Sequence, residues 1–241
     1  MSGEIVKYGN QFNNQALRKF SALEIDLLMA ICAKMRNHGT TEETFQFDDL
    51  KRLMELDKNL TSAQFAQLLI SMNRRLLAMN FEFTDGQGAI HQFALFSDFV
   101  TDANSQTLAV SVNKKFAFLL NDLTSGFTRF ELAEFTNLHS TYAKECYRRL
   151  RQFRQTGVWK VSIEEFRRLL DVPESYRASS LSSRVLKPIE HELKPLLNLR
   201  IHKKFEKQKR GRPRLAGLEF EFRPERVQGG AGAPVVPISA A

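Results

Sequence analysis

Trp159-Lys160-Val161-Ser162-Ile163-Glu164-Glu165-Phe166-Arg167-Arg168-Leu169-Leu170 opens the stretch that decides the fold, which runs on to Phe222. Trp159, Lys160 and Val161 read as a short strand. Ser162 and Glu165 then stand at capping-box spacing, and Ile163, Phe166, Leu169 and Leu170 share one face of a helix that ends near Asp171-Val172-Pro173. After a polar turn a second helix is expected from about Ser180. It places Leu181, Val185, Ile189, Leu193 and Leu197 inward, and Ser180, Arg184, Lys187, His191 and Lys194 along the opposite stripe. Leu199–His202 and Leu218–Phe222 read as two strands, joined by the basic run Lys203 to Arg214.

The order strand, helix, helix, basic hairpin is that of a winged helix. In such a unit the first helix supports, the second enters a major groove, and the hairpin, or wing, reaches phosphates or the adjacent minor groove. The candidate DNA-contacting residues here are Arg177, Ser180, Ser183, Arg184 and Lys187, with Lys203, Lys204, Lys207, Lys209, Arg210, Arg212 and Arg214 in the hairpin. The competing reading is a solvated basic surface on some other α+β domain. Within the hairpin, Arg210-Gly211-Arg212-Pro213 resembles the core of an AT-hook: extended arginines suit a narrow, negative A·T minor groove, and Gly211 permits close backbone approach. A wing tip that meets only phosphates fits the same residues.

Upstream, the same order recurs. Ser21 and Glu24 cap a helix with Leu23, Leu27, Ala30, Ile31 and Met35 inward, and Phe45-Gln46-Phe47 leads into Asp48 to Met54. Thr61 and Gln64 cap a longer helix that buries Phe65, Leu68, Leu69, Met72 and Leu76 and shows Gln67, Ser71, Arg74 and Arg75 as candidate DNA contacts. A hairpin is expected from Asn80–Thr84 and Ile90–Val100, turning at Asp85-Gly86-Gln87-Gly88. Leu50-Lys51-Arg52-Leu53-Met54-Glu55-Leu56 matches Phe166-Arg167-Arg168-Leu169-Leu170-Asp171-Val172 in residue type at a separation of 116. The expected fold class is therefore α+β, two tandem winged-helix domains related by internal duplication. They should span 1–112, serving dimerisation and auxiliary DNA contact, and 113–226, the main reading domain, with a disordered tail at 227–241. Ser105–Leu123, including a strand at 108–112, should join them. On the helix from Ser140, the stripe Lys144, Arg148, Arg151 and Gln155 reads either as a phosphate clamp or as an ordinary solvated face.

Composition limits the function classes. The chain has 241 residues, 43% hydrophobic and 26% charged, with a formal net charge of +8. Residues 1–120 carry 12 Lys+Arg against 13 Asp+Glu, and residues 121–241 carry 23 against 14, so the excess is C-terminal and favours a polyanion there. Cys32 and Cys146 are far apart and read as buried thiols of a reducing cytoplasm. No apolar run suits a membrane span or a leader. There is no phosphate-loop motif and no paired metal-ligand spacing, and the five histidines stand singly. No cofactor, metal or catalytic residue is expected, and the chain reads as a binding protein rather than an enzyme. A winged-helix repressor and, more remotely, a DNA-nicking enzyme are the alternatives.

Phe127-Thr128-Arg129-Phe130-Glu131-Leu132, Leu138-His139-Ser140-Thr141-Tyr142-Ala143-Lys144, the run from Trp159 to Arg167, and Arg184-Val185-Leu186-Lys187-Pro188-Ile189-Glu190 carry a resemblance to the iteron-binding initiators of theta-replicating plasmids. The last string is distinctive because proline inside an amphipathic helix is costly. The resemblance covers most of residues 5–222. It implies two winged helices that bind direct repeats of double-stranded origin DNA as a monomer, and a homodimer in equilibrium with it that represses the protein's own promoter. Contacts with a host initiator and a replicative helicase are implied in the same way.

Overall fold

The computed structural model describes residues 3–56, 60–84, 87–117, 119–121, 123–206 and 213–225. Lys207, Lys209, Arg210, Arg212 and the expected tail lie outside these residues.

The chain starts with β1 (Ile5–Gly9) and a 3-10 turn, Asn10–Asn14. A first unit follows: α1 (Ala22–Lys34), β2 (Glu43–Gln46), α2 (Phe47–Leu53), α3 (Ser62–Leu77), β3 (Asn80–Thr84), β4 (Ile90–Ala94), β5 (Phe96–Asp102) and β6 (Thr107–Val112). A short α4 (Lys114–Ala117), β7 (Phe127–Glu131) and α5 (Leu132–Thr136) lead to α6 (Thr141–Gln152). The second unit continues with β8 (Val158–Ser162), α7 (Ile163–Leu169) and α8 (Ala178–Leu181). A π turn, Ser182–Leu186, joins α8 to α9 (Lys187–Leu197), and β9 (Arg200–Glu206) and β10 (Arg214–Glu221) complete the unit. The strand orders β2-β6-β5 and β8-β10-β9 are equivalent and antiparallel throughout.

The first wing is not where the sequence placed it. Its hairpin is β5–β6, and the strand at 108–112 is the central strand of the sheet, not a connector; β3–β4 is an additional two-stranded hairpin. The cause lies at the turn. The Asp102 carboxylate accepts from the backbone N–H of Asn104 at 2.8 Å and from the Ser105 hydroxyl at 2.8 Å, closing a tight loop. Leu108, Val110 and Val112 then alternate into the core.

The internal duplication extends to individual backbone bonds. Leu56 N–H donates to Lys51 O and Val172 N–H to Arg167 O, both at 2.9 Å, while Glu55 (φ 52°) and Asp171 (φ 46°) occupy the left-handed position. Both α2 and α7 thus end in the same Schellman-type cap. Lys51 Nζ donates to Leu60 O at 3.1 Å and Arg167 Nη2 to Tyr176 O at 2.6 Å, so one basic side chain closes the turn before each long helix. Each of these pairs is 116 positions apart.

The π turn accounts for the one break in that period. Buried Phe65 and Leu69 of α3 correspond to Leu181 and Val185 at a separation of 116, but Met72 and Leu76 correspond to Ile189 and Leu193 at 117. Apolar residues every fourth position drift off an α-helical face, and a turn with one extra residue brings them back. It also relieves Pro188: Lys187 N–H reaches back to Ser182 O, just before the proline that can donate nothing.

Between the units, β1 pairs with β7 from Ile5↔Glu131 to Gly9↔Phe127. Val6, Tyr8, Phe12 and Leu17 are fully buried, in a segment whose polar composition hid them. The α6 stripe is neither a phosphate clamp nor a solvated face at Lys144 and Arg148, because both are completely buried. Arg148 donates to Tyr8 Oη at 3.1 Å, Phe12 O at 3.0 Å and Glu145 at 2.9 Å; Arg149 donates to Glu145 at 2.8 Å and to Leu169 O at 2.6 Å. Buried charge survives only when it is paired and hydrogen-bonded, and here the partners come from the N-terminal segment, from α6 itself and from α7 of the second unit. The expected division at 112/113 thus runs between elements that pack and pair with each other. Cys32 and Cys146 are buried, and burial pushes the Cys32 thiol up to about 12 and raises the Cys146 thiol too.

Candidate nucleic-acid interface

The second unit builds its exposed face from α7, the 173–177 turn, α8–α9 and β9. Ser162 caps α7 by accepting from Glu165 N–H at 3.1 Å. The Arg167 guanidinium donates to Pro173 O and Tyr176 O, fixing the turn that delivers Arg177 to the N-terminus of α8. Leu181, Val185, Ile189, Leu193 and Leu197 are buried as expected. Arg177, Ser183, Arg184, Lys187, His191 and Lys194 are exposed, and Ser180 is half-buried.

Arg184 does not hang free. Its guanidinium lies 5.4 Å from the centroid of the Tyr176 ring, a cation–π contact that limits its rotamers without using its donors. Tyr176 also packs against the core, and in the sequence it stands 116 positions after Leu60, at the turn closed by the basic side chain. Ser183 Oγ donates to Ser179 O at 3.0 Å. At the back of α9, the Glu192 carboxylate accepts from His139 N–H (2.8 Å) and Ser140 N–H (3.0 Å), tying this helix to the start of α6. An anion at a helix N-terminus is favourable.

The wing residues divide by sheet face. Lys203 Nζ donates to Ser182 Oγ at 2.8 Å, so it stands beside the exposed helix face. Lys204 points to the other face, 2.7 Å from Glu219, which also meets Lys160 at 3.1 Å. Hydrogen bonds from Lys204 and Lys160 hold the Glu219 carboxyl below the usual range. Arg214 pairs with Glu164 at 3.0 Å, both exposed.

In the first unit, Gln67, Ser71 and Arg74 are exposed along α3. Arg75 is committed elsewhere: it donates to both Glu24 oxygens at 2.9 and 2.7 Å and lies over the Phe20 ring. The first wing tip carries Asp102 where the second carries lysines and arginines in sequence. The structure brings Arg177, Ser183, Arg184, Lys187 and Lys203 to one surface, and sets Lys204 and Arg75 against carboxylates. Among the described residues, no cluster of three or more His, Cys, Asp or Glu could hold a metal ion, and no helix is long and apolar enough to cross a membrane.

Two family descriptions match in tandem, "Initiator Replication protein, WH1" over residues 5–151 and "Initiator Rep protein, WH2" over residues 162–222. The chain belongs to the initiator replication protein family. It is 54% identical over 224 residues to the "Probable replication protein rep" of Bifidobacterium longum (strain NCC 2705), covering 92% of this chain and 73% of that one. Its fold is similar to that in the "Crystal structure of Pi initiator protein in complex with iteron DNA", with a TM-score of 0.72 and 13% identity over 94% of this chain and 100% of that one. At that identity the likeness is one of fold. Two winged helices in this order are thus the architecture of an initiator family. The WH1 match runs through α6 and the WH2 match opens at Ser162, the cap of α7.

Proposed function

We propose that this initiator binds direct repeats in double-stranded origin DNA, and that the second winged helix supplies most of the affinity and the base reading. The observation that carries the reading is the single surface formed by Arg177, Ser183, Arg184 and Lys187 with Lys203, in the unit that holds the whole excess of positive charge. The protein acts by binding, with no bond-breaking step. Arg184 reads a base edge, Lys203 neutralises a phosphate beside it, and Arg74, Gln67 and Ser71 make the weaker contact of the first unit. Similarity to a replication protein and a fold shared with an initiator crystallised on iteron DNA support this reading. Dimerisation, repression of the protein's own promoter, a cytoplasmic location, and contacts with a host initiator and a replicative helicase belong to the same proposal and rest on the family. The minor-groove role of Arg210 and Arg212 rests on their sequence alone.

Selection of duplexes from a randomised pool, followed by footprinting on DNA flanking the gene, tests the function. Enrichment of one motif, protected in tandem copies, is the expected result. Recovery of no motif, or nicking of supercoiled DNA in divalent metal, overturns it.

A further inference from the structure

Phe205 is 60% exposed near the end of β9. In the β9–β10 register Ile201 faces Phe220, Lys203 faces Leu218 and Phe205 faces Leu215. Directly opposed residues project from the same side of a sheet. Phe220 and Leu218 are buried on that side, and Lys203 reaches Ser182 from it, so the side that bears Phe205 is the one turned toward α8–α9. Ile201 and Leu215 pack against the core, and Phe205 lies beyond them. It stands two residues past Lys203, roughly 7 Å further out along the hairpin.

We propose that Phe205 is an apolar wedge that enters the minor groove beside the repeat and loosens the stacking of one base step there. The proposal rests on the DNA-binding reading above. A phenyl ring gains nothing from phosphates; the apolar surfaces of a duplex are thymine methyls in the major groove and the sugar and base faces reached from the minor groove. With a helix of roughly 10–12 Å diameter filling a major groove about 12 Å wide, a side chain held outside that helix on the wing meets the neighbouring minor groove. Lys203, on the same side of the sheet, flanks the ring with a cation for a phosphate strand of that groove. The step entered is a pyrimidine–purine step, because TA and CA steps unstack at least cost.

The test uses the full chain and the duplex recovered by selection, with 2-aminopurine placed at one flanking position at a time. Saturating wild-type protein raises the emission several-fold at one step next to the major-groove contact. Phe205→Ala, which melts at the wild-type temperature because the ring is exposed, returns it to that of free duplex; Phe205→Leu gives an intermediate rise. No rise at any flanking position with wild type, or an undiminished rise with Phe205→Ala, overturns the wedge while leaving repeat binding intact. A Phe205→Ala protein that keeps the rise but loses self-association assigns the ring to a second copy and overturns the wedge as well. Failure of the wild type to retain any selected duplex overturns the DNA-binding reading itself.

Discussion

Lys144 Nζ donates to the Asp26 carboxylate at 2.6 Å across 118 residues of sequence, with both side chains almost wholly out of solvent. The bond ties α6 to α1, and the same ammonium donates a second bond to Phe135 O at 2.8 Å. Burial dominates both partners, raising the Asp26 carboxyl from 3.8 to about 7 and lowering Lys144.

A pH dependence follows from Asp26. Between about pH 4 and pH 7 the folded chain keeps a proton at Asp26 that the unfolded chain has released. This group's contribution to stability is therefore full below the unfolded value and is lost as pH rises through 7. Urea unfolding at several pH values should show wild type losing stability, relative to Asp26→Asn, across that window. Parallel curves for the two proteins would refute it.

Removing the cation should be worse than removing the pair. Lys144→Met leaves Asp26 buried beside no counter-charge and should cost about 3 to 5 kcal/mol, toward the lower end because the carboxyl can take a proton. Lys144→Met with Asp26→Leu should recover much of that loss. A double variant no more stable than the single one would show that the ion pair is not the source of the effect.

Arg184 and Tyr176 should behave as a unit. Arg184→Ala is expected to weaken repeat binding by about 1 to 3 kcal/mol and to relax preference at one or two base pairs. Tyr176→Leu should produce a smaller loss at the same base pairs, about 0.5 to 1 kcal/mol, and Tyr176→Phe almost none, since the ring face alone is used. Equal losses on specific and random DNA would make Arg184 a phosphate contact instead.

Neighbouring lysines of β9 should differ. Lys203→Ala is expected to lower the slope of log K against log salt by about 1. Lys204→Ala should leave the slope nearly unchanged, because Lys204 faces Glu219 on the far side of the sheet. Binding titrations at a series of salt concentrations measure both, and identical slope changes would contradict the division of the wing by face.

Asp171 sits at φ 46°, in the left-handed region. Asp171→Gly should stabilise the chain by about 0.5 to 1 kcal/mol, the relief of left-handed strain less the added freedom of the unfolded glycine. Thermal unfolding that shows a lower melting temperature would argue against that assignment of strain.

Much of the architecture was written locally. Capping at Ser21, Thr61 and Ser162, apolar spacing in α3 and α8–α9, and the match of 50–56 to 166–172 are short-range patterns. They determined the two winged helices, while the shared left-handed caps at Glu55 and Asp171 inside that match appeared only in the structure. The exposed polar face of the second long helix was legible for the same reason, since one helix face follows from 3.6-residue periodicity. What only the tertiary structure decided is where non-local partners lie. Strand β6 became the centre of the first sheet because Asp102 closes its turn, and β1 found β7 across more than a hundred residues. Lys144 and Arg148 read as surface cations because sequence reports charge and period but not what covers a face; in the fold that face is covered by Asp26, Tyr8 and Phe12. The same limit separated Lys203 from Lys204 and Arg74 from Arg75. Adjacent cations of one type acquire different roles only when the sheet and the neighbouring helix place a carboxylate beside one of them.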